Sequence, residues 1–264
     1  MGRVYHRNRG PTGPCRRGVA TGEQHVGVVW EGGPRGEHVH HAHDPHRPDH
    51  DDHGPASFDE RAATWDDDAK VARAGRVADA VLSATGVDRS ARVFEYGAGT
   101  ALVTEALGDR VGPSVLADTS AGMREVMATK VAEGRLPRSR VVDWDLGAES
   151  IPSIDERFDL IVTVLTLHHV EDVDRVLGRF ADLLAPGGRV AVADLDAEDG
   201  SFHGDGFTGH HGFERDDLVR RLVAAGLDEV TVSDCGVLER DEGTYPMFLA
   251  VARSSQARTG GAGS

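Results

Sequence analysis

The sequence predicts an α/β fold, in which helices cover both faces of a doubly wound parallel sheet. From about residue 57 onward, nearly continuous apolar segments alternate with amphipathic helical patterns, which is typical of buried parallel strands. One apolar segment ends at Glu95 and runs directly into Gly97 and Gly99, ahead of a helical pattern. Glycines in that position let the backbone turn sharply and approach a ligand closely.

Hydrophobic periodicity predicts the order of the elements. Acidic residues from Asp59 onward lead into a first helix with apolar positions at Val71, Val77 and Val81. The strands that follow are predicted at residues 91–96, 114–118, 139–143, 158–164 and 188–195, and the helices at 100–108, 120–133, 172–185 and 214–226. The glycines after Pro186 are expected to end a helix and open a strand. Residues 228–234 and 246–253 are predicted to form a closing strand pair.

Composition divides the chain into a folded domain and two tails. Residues 1–55 are rich in Gly, Pro, Arg and His, hold nine of the 14 histidines and show no sustained period. A histidine-rich tract can bind divalent metals. No cysteine partners these histidines at zinc-site spacing, however, so a disordered tail is favoured. The folded domain is expected to cover residues 56–253, and residues 254–264 are expected to form a second disordered tail.

Net charge and hydropathy narrow the class of protein. The formal net charge is −15, and residues 1–55 are neutral, so the whole charge falls on the folded part. Such a surface repels phosphate backbones and argues against nucleic acid as substrate or partner. No apolar run of about 18 residues predicts a membrane span, and no signal peptide is recognisable. With only Cys15 and Cys235 as cysteines, a reducing, cytoplasmic location is expected.

Two acidic residues predict the type of cofactor. Glu95 lies just before the glycines, where a negative charge repels a pyrophosphate and suits an amine-bearing ligand. Asp118 ends the next apolar segment, 23 residues further on, where βαβ units place a ribose-binding carboxylate. The pair therefore predicts a nucleoside cofactor without a diphosphate. S-adenosylmethionine (SAM), which carries an amine and a sulfonium, has this chemistry.

Four segments together resemble the ordered motifs of class I SAM-dependent methyltransferases of the bacterial small-molecule type. They are residues 95–100, 118–120, 158–162 with 167–172, and 183–189. Residues 59–66 and 211–213 are also similar to one subgroup, and the resemblance covers about residues 58–253. It implies a Rossmann-like sheet of seven strands, six parallel and the last antiparallel, and methyl transfer from SAM to a small-molecule acceptor. Ala101 departs from the family, which often has glycine there.

The resemblance also implies roles for individual residues. Glu95 would bind the methionine amino group, and Asp118 would accept both ribose hydroxyls. Asp145, with the backbone of Leu146, would bind the adenine amine, and Asp143 is an alternative. The remaining cofactor-binding residues are expected to be Gly97, Ala98, Gly99, Thr100, Thr119 and Met123. Read without the resemblance, Glu95 is a helix-capping acid and Asp118 a turn aspartate.

Histidines after the fourth predicted strand are candidates for catalysis. His168 and His169 would lie at the carboxyl edge of the sheet, where a histidine can take a proton from an incoming nucleophile. The alternative is that one of them packs or caps the following helix. His203, His210 and His211 lie in a long segment after the fifth strand, but no metal is expected. The surface facing the acceptor is expected to come from residues 59–65 and 196–213.

Three other functions are compatible with parts of the sequence. A nicotinamide dehydrogenase would require a third glycine where this chain has Leu102, and would not favour Glu95. A non-catalytic SAM-binding or metal-binding module would make the histidine-rich tail the active part. A nucleic-acid methyltransferase is disfavoured by the charge of −15. The acceptor and the oligomeric state are left open by the sequence.

Overall fold

The fold is a single mixed sheet with helices on both faces. The computed structural model describes residues 3–5, 55–240 and 243–255. The strands are β1 (Arg3–Tyr5), β2 (Val93–Tyr96), β3 (Ser114–Ala117), β4 (Ser139–Val142), β5 (Phe158–Val164), β6 (Leu184–Leu195), β7 (Leu227–Arg240) and β8 (Gly243–Ser254). The helices are α1 (Pro55–Arg61), α2 (Asp68–Thr85), α3 (Leu102–Leu107), α4 (Ala121–Ala132), α5 (Val173–Leu183) and α6 (Arg215–Ala224).

Strand order and direction agree with the predicted doubly wound topology. The order in the sheet is β1-β7-β8-β6-β5-β2-β3-β4. Parallel pairing joins β4, β3, β2, β5 and β6, whereas β8 pairs antiparallel with both β6 and β7. Strands β2 to β7 therefore run in one direction and β8 in the other, which confirms the prediction of six parallel strands and a last antiparallel one. Strand β1 adds an eighth, antiparallel to β7.

The predicted tails are only partly within the described residues. Residues Arg3–Tyr5, inside the segment predicted to be disordered, form β1. The rest of that segment up to residue 54, with its nine histidines, lies outside the described residues, as do residues 256–264. Strand β8 runs through Ser254, one residue past the predicted end of the domain.

Several element boundaries differ from the prediction for identifiable reasons. Helix α3 begins at Leu102, not at residue 100, because the preceding Ala101 has a left-handed φ of 62°. The predicted helix 172–185 ends at Leu183, since Leu184 already pairs with Phe158 in the sheet. Strands β7 and β8 are each longer than predicted and form an extended hairpin. A register shift near Gly236 interrupts their ladder.

Alternate residues of the central strands build two apolar cores. On β6, Val190 and Val192 belong to the core under α5 and α6, and Ala191 and Ala193 belong to the core under α2 and α3. This alternation is the expected consequence of the two-residue repeat of a strand that is buried on both faces. None of the helices in the described part of the chain is both long and apolar enough to cross a membrane.

Candidate active site

A large cavity opens at the carboxyl ends of the parallel strands, where doubly wound sheets bind ligands. Its volume is about 1240 Å³, above the roughly 300–1,000 Å³ of a typical small-molecule pocket. Nine of the ten predicted cofactor-binding residues line it: Glu95, Gly97, Ala98, Gly99, Thr100, Asp118, Thr119, Met123 and Asp145. The topology thus brings residues from the ends of β2, β3 and β4 to one surface.

The glycine loop after β2 has the backbone conformation that its sequence predicts. Gly97 and Gly99 have φ angles of +64° and +56°, which L-residues with a side chain rarely adopt. A Cβ atom at Gly97 would lie 2.2 Å from the side chain of Thr166. A Cβ atom at Gly99 would have none of the surrounding described atoms within 4 Å. Thr166 also donates a hydrogen bond from its hydroxyl to the Gly97 carbonyl, at 3.2 Å. The loop after β5 therefore holds the glycine loop in place.

Glu95 caps a helix from within the cavity wall. Its Oε2 accepts a hydrogen bond from the backbone N–H of Thr104 at 3.1 Å, and another from the Thr104 hydroxyl. The capping interpretation therefore applies to this residue, which also lines the cavity. Burial raises the pKa of Glu95 to about 7, partly offset by the bonds from Thr104. The carboxyl consequently titrates near neutral pH, where a neighbouring ligand amine would favour its charged form.

Asp118 joins the glycine loop to the start of α4. Its Oδ2 accepts from the Gly99 backbone N–H at 2.7 Å, and its Oδ1 accepts from the Ser120 N–H at 2.9 Å. Burial raises the pKa of this carboxyl, and the two backbone bonds oppose that shift. Each oxygen keeps a further lone pair for a ligand, so two hydroxyls on adjacent carbons could be held at once.

The structure distinguishes the two acids near the end of β4. Asp145 lines the cavity, and its Oδ1 accepts from the Gly147 N–H at 2.7 Å. Asp143 instead pairs with Arg124 at 3.1 Å and is not part of the lining. Leu146, the tenth predicted residue, is fully buried in the core and its side chain does not line the cavity. Tyr96, which belongs to the same core as Leu146, does line the cavity.

The two candidate catalytic histidines have different surroundings. His169 lines the cavity, whereas His168 is 2% exposed and does not. His168 Nδ1 lies 2.6 Å from Oδ1 of Asp194, a residue with no exposed surface at the end of β6. The rings of the two histidines are 4.2 Å apart. His169 is therefore the histidine placed to contact a ligand, and His168 is held by a carboxylate behind it.

The other histidines of the long segment after β6 are divided between two environments. His203 lies beside the pair, with ring centroids 5.0 Å from His168 and 5.3 Å from His169. His210 and His211 do not join this group, since His210 Nε2 lies 3.0 Å from the Val170 carbonyl and His211 pairs with Glu198. Sequence spacing gave no indication that His203 would meet a pair of residues more than 30 positions earlier.

The segment before α2 covers one side of the cavity and is fixed by polar contacts. Phe58 and Trp65 line the cavity, and the ring of Phe58 packs edge-on against His169. Asp59 accepts hydrogen bonds from the Ser120 hydroxyl and the Gly122 N–H at 2.5 and 2.9 Å. Of residues 59–65, which are expected to face the acceptor, Trp65 lines the cavity, whereas Asp59 is bonded to the start of α4.

A cationic side chain that sequence reasoning missed also lines the cavity. Arg73, on α2, is largely buried, and burial lowers the pKa of its guanidinium. No ion pair or hydrogen bond joins it to another residue in the part of the chain that the structure describes. The helical pattern of α2 predicted which positions are apolar, but not which polar position would face the cavity.

Comparison with known proteins agrees with this geometry. Residues 94–192 match the family model described as a methyltransferase domain. A ubiquinone/menaquinone biosynthesis C-methyltransferase, UbiE, of Idiomarina loihiensis is 33% identical over 118 residues, which cover 43% of this chain and 46% of that protein. An uncharacterized methyltransferase of Geobacillus kaustophilus is 30% identical over 145 residues, which cover 54% and 64%. The chain thus spans about half to two thirds of the lengths of these relatives.

Solved structures share the fold. A SAM-dependent methyltransferase from Aquifex aeolicus superposes with a TM-score of 0.54 at 18% identity, and the match covers 74% of this chain and 98% of that one. At that identity the likeness concerns the fold alone. The sequence matches therefore identify a methyltransferase domain within this chain, over residues 94–192, and the solved structure shares its fold.

Proposed function

We propose that this chain is an enzyme that transfers the sulfonium methyl group of SAM to a small-molecule acceptor. The observation that carries the proposal is one cavity whose wall combines the acidic and glycine residues at the ends of β2, β3 and β4 with His169 and aromatic side chains. Its volume of about 1240 Å³ leaves room for an acceptor beside the cofactor.

The acidic residues are proposed to orient the cofactor. Glu95 would bind the methionine amino group, Asp118 the two ribose hydroxyls and Asp145 the adenine amine. Each carboxylate already accepts one or two hydrogen bonds from the protein, so each is held in place before the ligand arrives. Preorganised groups of this kind lower the entropic cost of binding. Gly97 and Gly99 leave room for the methionine moiety to pass along the backbone.

Arg73 is proposed to bind the methionine carboxylate of SAM. A guanidinium matches the geometry of a carboxylate, and a buried cation is stabilised by an anionic partner. Arg73 lines the cavity and feels the charge of Asp67, but no ion pair or hydrogen bond joins it to a described residue, so a bound carboxylate would supply a direct partner. This contact would orient the cofactor from the end opposite the adenine.

Methyl transfer is proposed to proceed in line. A lone pair of the acceptor forms the new bond to the methyl carbon while the carbon–sulfur bond breaks, and its electrons remain on the neutral thioether that leaves. Because SAM is already activated, the protein mainly aligns the partners and excludes water, which can supply an effective molarity of roughly 10⁵–10⁸ M. For a hydroxyl or amine acceptor, His169 would take the released proton and contribute about 10²–10⁴-fold.

The net charge supports a small molecule over nucleic acid as the acceptor. The chain beyond residue 55 carries the entire −15 charge, which disfavours a phosphate backbone. The aromatic side chains of Phe58, Trp65 and Phe207 around the cavity suit an acceptor with apolar surface.

Calorimetric titration tests the cofactor assignment. Purified protein titrated with SAM and with its demethylated product should bind both, and NAD should give no signal. Asp118→Ala should weaken SAM binding at least tenfold, because it removes both ribose contacts, whereas Asp109→Ala, an exposed acid outside the cavity, should not. Binding of NAD in place of SAM would reject the assignment.

Turnover measurements test the base once an acceptor is found by screening. His169→Ala should lose 10²–10⁴-fold in kcat for an oxygen or nitrogen acceptor with little change in SAM affinity. Full turnover in both His169→Ala and His168→Ala would exclude a histidine base. SAM binding without turnover on any acceptor would support a non-catalytic SAM-binding module instead.

A further inference from the structure

We propose that His168, His169 and His203 form a binding site for a divalent transition metal of the zinc type. One ring nitrogen from each histidine belongs to a group in which all three lie within 4.8 Å of one another. The site lies at the edge of the candidate cavity, since His169 also forms part of the cavity wall. The inference does not depend on methyl transfer.

The donor set matches the chemistry of zinc. Neutral imidazole nitrogen is a common zinc ligand, and three histidines with an open fourth position form an established kind of catalytic zinc site. Zinc holds such nitrogens at about 2.0–2.1 Å in a tetrahedral site, so the three nitrogens would need to approach one another by up to about 1.5 Å on binding. His203 belongs to a loop and not to a helix or strand, so a shift of its backbone can supply that movement.

Asp194 supplies the supporting contact that such a site requires. Metal-bound histidines usually donate their second ring N–H to a carboxylate, which fixes the tautomer and strengthens the ligand. Asp194 Oδ1 lies 2.6 Å from Nδ1 of His168, so Nε2 of that ring is the nitrogen left for a metal. The carboxylate is itself oriented by the Leu195 backbone N–H, at 2.8 Å.

Charge balance points the same way. Asp194 has no exposed surface, and its Oδ2 is buried without a hydrogen-bond partner among the described residues. Buried charges are normally paired or coordinate metals. A cation bound through His168 would place a positive charge beside this carboxyl group.

Phe207 packs against two of the three rings. The ring of Phe207 stacks on His203 with centroids 3.8 Å apart and an angle of 11° between the planes. It also contacts the ring of His169 edge-on, at 5.4 Å. Apolar groups around a metal site restrict access of water and strengthen its electrostatics.

A bound metal changes what the histidines can do. A metal and a proton compete for the same nitrogen lone pair. A loaded site could therefore not also supply the histidine base proposed above. Its open position would accept water or an acceptor oxygen, whose pKa zinc lowers.

The test is a metal titration of the full-length chain without SAM. Metal-free protein is titrated with Co²⁺, followed by its visible absorption, and with Zn²⁺ in competition with a chromophoric chelator. Wild type, His203→Gln and His168→Gln are compared, and His211→Gln serves as a control histidine from the same segment. Because the nine histidines of residues 1–55 are present in every variant, only differences in stoichiometry report on the proposed site.

Wild type and His211→Gln should bind one equivalent more than His203→Gln and His168→Gln. Asp194→Asn should retain that equivalent but bind it about 10–100-fold more weakly. Calorimetry with SAM on each variant verifies that the fold is intact, and its result is independent of metal stoichiometry. Equal stoichiometry and an identical Co²⁺ spectrum in wild type and His203→Gln would overturn the proposal.

Discussion

The ammonium group of Lys130 lies 2.7 Å from the carboxylate of Asp66, so that α4 is joined to the segment that precedes α2. Lys130 is 2% exposed, and it also contacts Glu105 at 3.0 Å and the Thr100 carbonyl at 2.8 Å. Asp66 in turn accepts a hydrogen bond from the Thr100 hydroxyl. One buried cation thus connects the covering segment, the glycine loop and α3.

Removing this cation is expected to destabilise the domain. Lys130→Met should lower the free energy of unfolding by roughly 2–4 kcal/mol, because two partly buried carboxylates lose their common partner. The chain has one other lysine, Lys70, whose pair with half-exposed Asp67 should be worth at most about 0.5 kcal/mol. Urea denaturation of Lys130→Met and Lys70→Met measures both values. Equal losses would mean that burial of the Lys130 network contributes nothing.

Stability should depend on the titration of Glu95. Its pKa is raised by burial to about 7, from an ordinary value of 4.5, so the folded state retains a proton that the unfolded state has lost. The stabilising contribution of that proton is complete below pH 4.5 and disappears as the pH rises to about 7. Glu95→Gln keeps an acceptor for Thr104 but carries no charge. Relative to wild type it should gain up to about 3 kcal/mol between pH 4.5 and 8.

The measurement for Glu95 is urea denaturation of both proteins at pH 4.5, 6, 7 and 8. A difference between wild type and Glu95→Gln that stays constant over this range would contradict a raised pKa. Calorimetry adds a second observable, since binding of the SAM ammonium should release a proton from Glu95 near neutral pH.

Arg73 should discriminate ligands by their carboxylate. Arg73→Gln is expected to weaken SAM binding about tenfold or more, because a charge-assisted contact worth about 1.5–3 kcal/mol is lost. Arg76→Gln, an exposed arginine on the same helix, is the matched control and should change affinity less than twofold. Decarboxylated SAM should bind wild type and Arg73→Gln equally. If Arg73→Gln weakens both ligands to the same degree, the guanidinium does not bind the carboxylate.

The two glycines of the loop should respond differently to alanine. Both substitutions strain a left-handed backbone, which costs about 1–2 kcal/mol. Gly97→Ala also drives a methyl group into Thr166, which adds about 1–3 kcal/mol of overpacking, whereas Gly99→Ala meets open space. Thermal and urea unfolding without ligand should therefore rank Gly97→Ala as the less stable variant. The reverse order would mean that Thr166 moves aside at little cost.

Much of the sheet was predictable because its strands are buried on both faces. The apolar runs at residues 114–118 and 158–164 needed no context to be read as strands, and the acid and glycines after β2 placed the cavity at its correct edge. Strands β7 and β8 were predicted too short. Beyond Val232 most positions of β7 are exposed or half-exposed and several are polar, so the apolar signal ends well before the hydrogen-bonded ladder does.

Parts of the candidate site depend on tertiary placement that no local pattern encodes. Nothing in the sequence distinguishes Arg73 from Arg76, yet Arg73 lines the cavity and Arg76 is exposed. His203 lies in a loop without periodicity, and only the path of that loop brings it to His168 and His169. The sequence left Asp143 and Asp145 as alternatives for the same role. In the structure β4 ends at Val142, and Arg124 pairs with Asp143.

The insertion of β8 between β6 and β7 makes the end of the described chain central to the sheet. A truncation that removed Gly243–Ser254 would not trim an edge. It would leave β6 and β7 without the strand that pairs with both, so each would have a row of unpaired N–H and C=O groups. Exposed strand edges of this kind pair with strands of other molecules. Versions of this protein that lack Gly243–Ser254 should therefore aggregate, whereas fusions placed after Ser255 should leave the strand pairing of the sheet intact.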